Sequence, residues 1–289
     1  MELFCWEGEW GLPSIDIECL EVLAHLKFAE TPAAIKFSRT PTLNKSIKSF
    51  PILKKRDGTF ISGADDILNH LRDNDQHPDI GLSPQQYADI VSLKALVKDR
   101  IHPYITFCLW LDGKNFTEFS RPLYAKKCVF PLNFIIPGKL YNNAQDFINS
   151  TKAHVNTTQD QLADELYLEA VDSINLLETY LADKEFFFGS KPTSFDALIF
   201  AYLAPLVKAK LASTKLQNHV RACDNLTKFV SRILTRFFPT EDGSKDKTTA
   251  PKHDGQSERS YDWILSVAIG SLVMTMYAAN IGLLAKLRW

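Results

Sequence analysis

The longest apolar stretch of the chain lies near its C-terminal end. Residues 263–285 read WILSVAIGSLVMTMYAANIGLLA and include no charged side chain. A helix of this length spans the ~30 Å hydrocarbon core of a bilayer, whereas a buried core helix is usually uncharged over only about 10–14 residues. We therefore predict a single transmembrane helix here. The larger side chains of this anchor are Trp263, Ile264, Leu265, Val267, Ile269, Leu272, Val273, Met274, Met276, Tyr277, Ile281, Leu283 and Leu284.

The residues after this helix indicate which membrane it enters. Four residues follow, and two of them, Lys286 and Arg288, are basic. We expect such a tail to insert after translation, which leaves the bulk of the chain in the cytosol. A moderately apolar span with a basic flank favours the mitochondrial outer membrane over the endoplasmic reticulum. The predicted topology is a single-pass C-terminal anchor.

Residues 239–262 contain almost no apolar side chains and read PTEDGSKDKTTAPKHDGQSERSYD. A segment that cannot bury apolar surface does not fold by itself. We predict a flexible tether here, and a coil of this length has an end-to-end distance of roughly 27 Å.

Short apolar runs separated by turn signals characterise the first 73 residues. Asp57-Gly58 predicts a hairpin between two strands. In the first helix Ser14 is the candidate N-cap, and apolar residues fall on most sides, so we expect this helix to be covered on two faces. The predicted order is strand 2–6, helix 14–28, strands 33–38, 50–53 and 59–62, and helix 64–71.

Helical periodicity dominates the chain after a polar connector. Apolar positions at three- and four-residue steps predict helices over residues 84–111, 160–181 and 215–238. Between the last two, Thr193 and Asp196 have the spacing of a capping box. The helix behind them is apolar on nearly every side, so we expect it to form the centre of the helical region.

Composition excludes several functions. The chain is 45% hydrophobic and 23% charged with a net charge of −1, so it lacks the basic excess typical of nucleic-acid binding. The five cysteines are widely spaced without a CxxC pair, so we expect reduced, mostly buried thiols and neither disulfides nor a zinc site. Acidic residues near the N-terminus argue against a secretory signal or an Arg-rich presequence.

The element order of residues 1–73 resembles the thioredoxin-like domain of the glutathione-transferase superfamily. The resemblance includes a proline, Pro51, at the start of the third strand. It implies that the Phe50–Pro51 peptide bond is cis.

A second motif resembles the same superfamily. Gly189, Thr193 and Asp196, placed before an apolar helix, resemble the folding signature of the helical domain in these enzymes. The implied fold is α+β followed by all-α, glutathione-transferase-like: a thioredoxin-like domain at residues 1–73 and an all-helical domain at 82–238, followed by the single transmembrane helix.

The residues needed for glutathione chemistry are missing from this pattern. A transferase needs an activating hydroxyl or thiol just after the first strand, but residues 7–13 contain neither, and Ser14 is better interpreted as a helix cap. The family's polar donors align with Gly63 and Ala64, which have no side-chain donors. Losing such contacts to a charged ligand, at about 1.5–3 kcal/mol each, removes useful affinity. With no GxxxxGK or HExxH motif either, we expect no catalytic residue, cofactor or metal.

Three strings resemble the metaxins, most closely the tail-anchored type. They are ELFCWEGEWGLPS at 2–14, FPLNFIIPGKL at 130–140 and FFFGSKPTSFDA at 186–197. The resemblance implies a non-enzymatic scaffold or receptor subunit of the mitochondrial sorting and assembly machinery, supporting β-barrel insertion and protein import. The implied partners are a second metaxin and the barrel-forming insertase subunit, with no nucleic acid and no small-molecule substrate. The alternatives are a membrane-tethered glutathione-dependent transferase or peroxidase, and a general outer-membrane adaptor.

Residues 129–138 are too apolar for a free loop, and their two prolines argue against a regular helix. The segment either fills the groove between the two domains or forms a patch for a partner or the bilayer surface, and we favour burial. The candidate partner patch consists of Phe130, Leu132, Phe134, Ile135 and Ile136.

Basic residues recur late in the helical region. They either form a solvated face or lie against anionic lipid, and we favour the solvated face. They are Lys208, Lys210, Lys215, Arg221 and Lys228.

Overall fold

The computed structural model describes residues 1–40, 49–151 and 158–239. The predicted anchor over residues 263–285, its basic flank and nearly all of the predicted tether lie outside the described residues. Within the described ranges, no helix combines the length and apolar character needed to cross a bilayer.

The N-terminal part contains strands β1 (Glu2–Cys5), β2 (Ala34–Phe37), β3 (Ile52–Lys54) and β4 (Phe60–Ser62), with helices α1 (Ile17–Phe28) and α2 (Ala64–Asp73). The strands form one sheet in the order β2-β1-β3-β4. β1 and β2 are parallel, so α1 supplies the crossover that parallel strands require, while β3 is antiparallel to both its neighbours. The predicted element order is confirmed, and the Phe50–Pro51 bond before β3 is cis.

Helix α1 is buried on two sides, as its apolar pattern predicted. Leu20 and Ala24 belong to a hydrophobic cluster shared with the helical region, whereas Val22 and Leu23 belong to the cluster beneath the sheet. The N-cap is Asp16, whose carboxylate accepts the Cys19 N–H, so the predicted Ser14 cap is wrong. Asp16 has the extended backbone that an N-cap needs, and the Ser14 hydroxyl accepts the Asp16 N–H at 3.3 Å.

The helical region begins with α3 (Pro84–Leu96) and continues through π-helical turns and α4 to residue 111. At the end of the first π turn the His102 N–H bonds five residues back to the Val97 carbonyl, and Pro103, which has no N–H, follows it. The remaining elements are π turns at Val97–Ile101, Phe107–Leu111 and Phe116–Ser120, and helices α4 (His102–Thr106), α5 (Gly113–Asn115), α6 (Arg121–Lys127), α7 (Leu132–Thr151), α8 (Gln159–Leu181), α9 (Ser194–Lys208), α10 (Lys215–Ala222) and α11 (Asp224–Phe237).

The predicted helix over residues 215–238 is wrong in one respect, because the chain breaks at Cys223 into α10 and α11. Cys223 has an extended backbone, and the N–H groups of Asn225 and Leu226 donate to the carboxylate of Glu178 on α8 at 3.0 and 2.9 Å. The Glu178 carboxylate thus caps the start of α11, where backbone N–H groups have no partner within their own helix.

The expectation that the prolines of residues 129–138 prevent a helix is also wrong. Pro131 precedes α7, and Pro137 lies inside it, where it removes a single backbone hydrogen bond and is itself buried. The favoured burial is wrong for three of the five patch residues, since Phe130, Phe134 and Ile135 are 56%, 71% and 57% exposed. Leu132 and Ile136 pack against the cluster beneath the sheet.

Helix α9 forms the centre of the helical region, as predicted, and every residue from Ser194 to Ala204 is buried. It packs against α1, α3, α10 and α11. One compact unit, Met1–Thr240, contains both hydrophobic clusters, and α1 contributes to each. The boundaries proposed at residues 73 and 82 stay predictions.

Candidate functional site: an acidic interior cleft

The start of α9 is a buried polar network. The Asp196 carboxylate accepts the Thr193 N–H at 2.7 Å, the Thr193 hydroxyl at 2.6 Å and the Phe187 N–H at 2.9 Å. The Thr193 side chain accepts the Asp196 N–H at 3.5 Å in return, which confirms the predicted capping box. Complete burial raises the pKa of Asp196 to about 6, although these hydrogen bonds oppose the shift. The three accepted hydrogen bonds make this a structural group.

Asp79, in the connector after α2, extends this network. Its carboxylate oxygens accept the Ser194 N–H and the Ser194 hydroxyl, both at 2.6 Å. The Lys94 ammonium on α3 donates to the same hydroxyl at 2.8 Å. These hydrogen bonds connect the segment after α2, and also α3, to Ser194, the first residue of α9.

A cleft of about 850 Å³ lies between the sheet side and the helical region. It contains the positions that resemblance assigned to glutathione, Gly63 and Ala64, at the start of α2. Its aromatic walls come from both sides of the fold, and they include Trp6, Trp10, Phe50, Trp110 and Phe119.

Glu18 lies beside Gly63 and Ala64, where the resemblance puts the donors for the γ-glutamyl group of glutathione. Gly63, the N-cap of α2, has no side chain to cap the helix, and its own N–H donates to the Pro51 carbonyl. The Ala64 N–H instead donates to the Glu18 carboxylate at 3.4 Å. Asp65 and Asp66 follow at once, so a carboxylate ligand here meets negative charge.

The loop after β1 is anchored by ion pairs and carries no nucleophile. The ammonium of Lys127, which is 7% exposed, lies 2.9 Å from Glu7 and 3.1 Å from Glu9. The hydrogen bond from Lys127 lowers the pKa of Glu9. Gly8 lies between these two acids, and a Cβ there would lie 1.8 Å from the Leu12 carbonyl oxygen, so the tight turn requires glycine.

The fold also brings two tyrosine hydroxyls to the cleft that the sequence did not reveal. Tyr124 donates to Asp16 at 3.3 Å, and the Tyr202 hydroxyl lies 3.0 Å from Nδ1 of His102. Burial raises the pKa of both tyrosines well above the ordinary value, so neither hydroxyl is prepared to ionise. These pairs join residues 108 and 100 positions apart, a separation with no local sequence signal.

Carboxylates dominate the charge of the cleft, which six Asp and Glu side chains and two Lys side chains line. Glu18 is open to the cleft, and desolvation by its walls, followed by the charge of Asp16, raises its pKa. Burial raises the pKa of Glu21 to about 7. The acidic lining comprises Asp16, Glu18, Glu21, Asp65, Asp66 and Asp99.

The thiols and other candidate ligands do not gather into a metal site within the described residues. No group of three or more His, Cys, Asp or Glu side chains there has the arrangement to hold a metal ion. All five cysteines are free and buried, as predicted.

The late basic residues divide between solvent and structural contacts. Lys208, Lys210 and Lys228 are exposed. Lys215 pairs with Asp164, and Arg221 donates to the Val207 carbonyl near the end of α9. The observed contacts agree with a solvated face.

Solved structures with the same architecture define the class of fold. A glutathione S-transferase of Ceriporiopsis subvermispora in complex with glutathione aligns with a TM-score of 0.51 and 10% identity, covering 85% of this chain and 99% of that one. A beta-etherase from Sphingobium aligns with a TM-score of 0.53 and 16% identity, covering 81% and 95%. Residues 170–233 also match the family model described as glutathione S-transferase, C-terminal domain. The described part of the chain therefore has a glutathione-transferase-like fold.

Sequence relatives identify the family within that fold. Metaxin-1 of Mus musculus is 36% identical across 99% of this chain and 91% of that protein, and Metaxin-3 of Danio rerio is 36% identical across 87% and 80%. Residues 19–141 match a family model described as outer mitochondrial membrane transport complex protein. The chain belongs to the metaxin family, as predicted, and these matches support a role in transport at the mitochondrial outer membrane.

Proposed function

We propose that this chain is a non-enzymatic scaffold and receptor subunit of the sorting and assembly machinery of the mitochondrial outer membrane. It supports the insertion of β-barrel proteins and protein import, beside a second metaxin and the barrel-forming insertase subunit. The observation that carries the proposal is the nearly full-length match to metaxins. The Glu18 carboxylate on the Ala64 N–H, where a transferase binds its cosubstrate, supports the non-enzymatic part.

In this proposal residues 263–285 anchor the chain in the outer membrane and residues 239–262 tether the folded part on the cytosolic side. The test is deletion of residues 263–289 from the full chain. The expected product is folded and cytosolic, because α11 ends at Phe237 and the Phe238 ring stacks on Phe200 before the tether begins. Aggregation or loss of helical content in the truncated chain contradicts this boundary.

The basic flank is tested separately by replacing Lys286 and Arg288 with serine. The expected result is partial relocation to the endoplasmic reticulum, seen by microscopy and fractionation, because flanking charge contributes to membrane choice. Unchanged mitochondrial localisation removes these charges from the targeting signal.

The exposed part of the candidate patch, Phe130, Phe134 and Ile135, is the proposed partner-facing surface. Large apolar side chains that remain more than half exposed side by side mark interaction surfaces more often than single ones do. Phe134 and Ile135 lie in the first turn of α7, and Phe130 lies just before this helix.

Affinity purification in mild detergent tests this surface. Phe134→Ser with Ile135→Ser is expected to lower the recovery of outer-membrane partners several-fold at unchanged abundance of the chain. The matched control is Leu168→Ser on α8, which removes an apolar side chain of similar exposure, 61%, from another face. Equal recovery from both variants contradicts the assignment of this surface.

The same purification decides between the alternatives. Co-purification of the barrel-forming subunit and a second metaxin supports the proposal, whereas recovery of cytosolic factors without them favours a general adaptor. Retention on immobilised glutathione together with turnover of a generic electrophile would overturn the scaffold assignment in favour of a transferase.

A further inference from the structure

The cleft combines aromatic walls with an excess of carboxylates. Lys98, one of its two lysines, is already paired with Asp65 at 2.6 Å. The other, Lys139, is exposed on α7. The acidic side chains of the cleft therefore outnumber the cations available to them.

Glu21 distinguishes this cleft from an ordinary acidic surface. It is only 8% exposed and lines the cleft, yet it forms neither a hydrogen bond nor an ion pair with any residue in the described ranges. Carboxylates are almost never buried without a partner, because removing the charge from water costs several kcal/mol. The Glu21 oxygens are not among the fully enclosed atoms without a partner in the described residues, so they face the cleft, from which a ligand can supply a cation or a donor.

The neighbouring cations do not pair with the Glu21 carboxylate. Lys94 and Lys98 are the cations whose charges act on Glu21, but Lys94 donates to Ser194 and Lys98 pairs with Asp65. Asp65 and Glu18 add negative charge on the same side. Glu21 and Glu18 thus form the negative end of the cleft.

The aromatic walls can cover the apolar part of a ligand whose cationic group faces Glu21. Trp10 stacks on Phe119 with ring centroids 5.4 Å apart, and Trp6 and Trp110 each contact Tyr124. Indole faces attract cations and cover apolar stems at the same time. The volume of about 850 Å³ falls in the range of small-ligand sites, about 300–1,000 Å³.

We propose that the cleft binds an organic cation, an ammonium or guanidinium group on an apolar stem, with Glu21 and Glu18 as its counter-ions and the tryptophans around the stem. The cation comes from a free polyamine or from a Lys or Arg side chain of a polypeptide. The site thereby has the opposite charge preference to the glutathione site whose position it occupies. This inference stands independently of the role in barrel assembly.

Titration of the full chain in non-ionic detergent tests the proposal. The probes are spermidine and the peptide N-acetyl-Leu-Arg-Leu-amide, each followed by calorimetry and by tryptophan fluorescence, since Trp6, Trp10 and Trp110 line the cleft. The neutral comparison is the same peptide with citrulline in place of arginine, and the anionic comparison is glutathione. We expect at least one cationic probe to bind about tenfold or more tightly than both comparisons, the range of a charge-assisted hydrogen bond.

Glu21→Gln assigns the binding to this site. It removes the buried charge with little change in shape and is expected to abolish the preference for arginine over citrulline. The matched control Glu30→Gln removes an exposed carboxylate beyond the end of α1 and is expected to leave affinity unchanged. Equal losses in both variants, or none in Glu21→Gln, overturn the proposal.

The two probes also distinguish the source of the cation. Tighter binding of the peptide identifies a polypeptide side chain, and tighter binding of spermidine identifies a free amine. If neither cationic probe binds, or if glutathione binds more tightly, the cleft is not a cation site.

Discussion

Two groups of carboxylates in this fold differ in how completely they are paired. At the start of α9, Asp196 and Asp79 accept five hydrogen bonds at 2.6 to 2.9 Å from backbone and side-chain donors. At the cleft, Glu18 accepts one backbone N–H at 3.4 Å, and Glu21 has no hydrogen-bond partner among the described residues.

The difference separates groups that hold the fold together from groups that are available to a ligand. A fully paired buried carboxylate accepts hydrogen bonds from several donors. Removing it leaves those buried donors without an acceptor, which destabilises the folded state. An unpaired buried carboxylate destabilises the folded state, and such groups are typical of functional sites. Removing a paired carboxylate should therefore destabilise the protein, whereas removing the unpaired one should not.

Asp196→Ala should have the largest effect. It leaves the buried N–H groups of Phe187 and Thr193 without acceptors, at about 1–3 kcal/mol each, so we expect a loss of roughly 3 kcal/mol or more in the free energy of unfolding. Thermal and chemical denaturation measure the loss, and cellular abundance should fall while partner binding per folded molecule is preserved. Asp160→Ala, an exposed acid in the first turn of α8, is the control and should change stability by less than about 1 kcal/mol. Normal stability with loss of partners would instead assign Asp196 to the binding surface.

Asp79→Ala should cost about 2 kcal/mol. The Ser194 N–H loses its acceptor, and the Lys94 ammonium loses the nearby negative charge. The measurement is the melting temperature, with Asp73→Ala at the exposed end of α2 as the comparison. A shift no larger than that of Asp73→Ala would mean that the connector is not fastened to α9 through this carboxylate.

Glu21→Gln should stabilise the protein, and only where the carboxyl is charged. The pKa of Glu21 is about 7 in the fold and about 4.3 in an unfolded chain, so the folded state holds the proton more tightly. The destabilisation by Glu21 is therefore absent below pH ~4.3, grows as the pH rises towards 7 and is complete above it. We expect a gain on the order of 1–3 kcal/mol at pH 8 that disappears at pH 4.5, measured by denaturation at both pH values.

Burial sets most of this gain in stability, and the charges that face Glu21 adjust it. Lys94 and Lys98 lower its pKa and Asp65 raises it, while burial is the dominant cause of the shift. The control Glu30→Gln should give no gain that depends on pH. A loss of stability in Glu21→Gln at pH 8 would show that the carboxylate is paired after all.

Glu18→Ala should have the smallest effect, less than about 1 kcal/mol, because it removes one long hydrogen bond at an open position. It should not create retention on immobilised glutathione, since Gly63 and Ala64 still lack side-chain donors and two acids follow them. Retention in this variant would mean that Glu18 alone prevents glutathione binding.

Local signals in the sequence determined much of the fold. The Thr193–Asp196 capping box spans four residues and the Asp57-Gly58 turn spans two. The apolar character of α9 on nearly every side is a property of one helix. Such features are decided by neighbours along the chain, so propensity and spacing predict them. The resemblance to metaxins and to the glutathione-transferase fold added the arrangement of these elements.

The pairings between residues far apart in the chain depend on the tertiary structure alone. Lys127 reaches Glu7 across 120 positions, Asp79 reaches Ser194 across 115, and Tyr124 reaches Asp16 across 108. The break at Cys223 depends on a carboxylate from α8, and the helix through Pro137 depends on packing that outweighs one lost hydrogen bond. Whether a charge is paired or left alone depends on which distant side chains the packing brings within about 3 Å of it, and nothing in the spacing of residues records that distance.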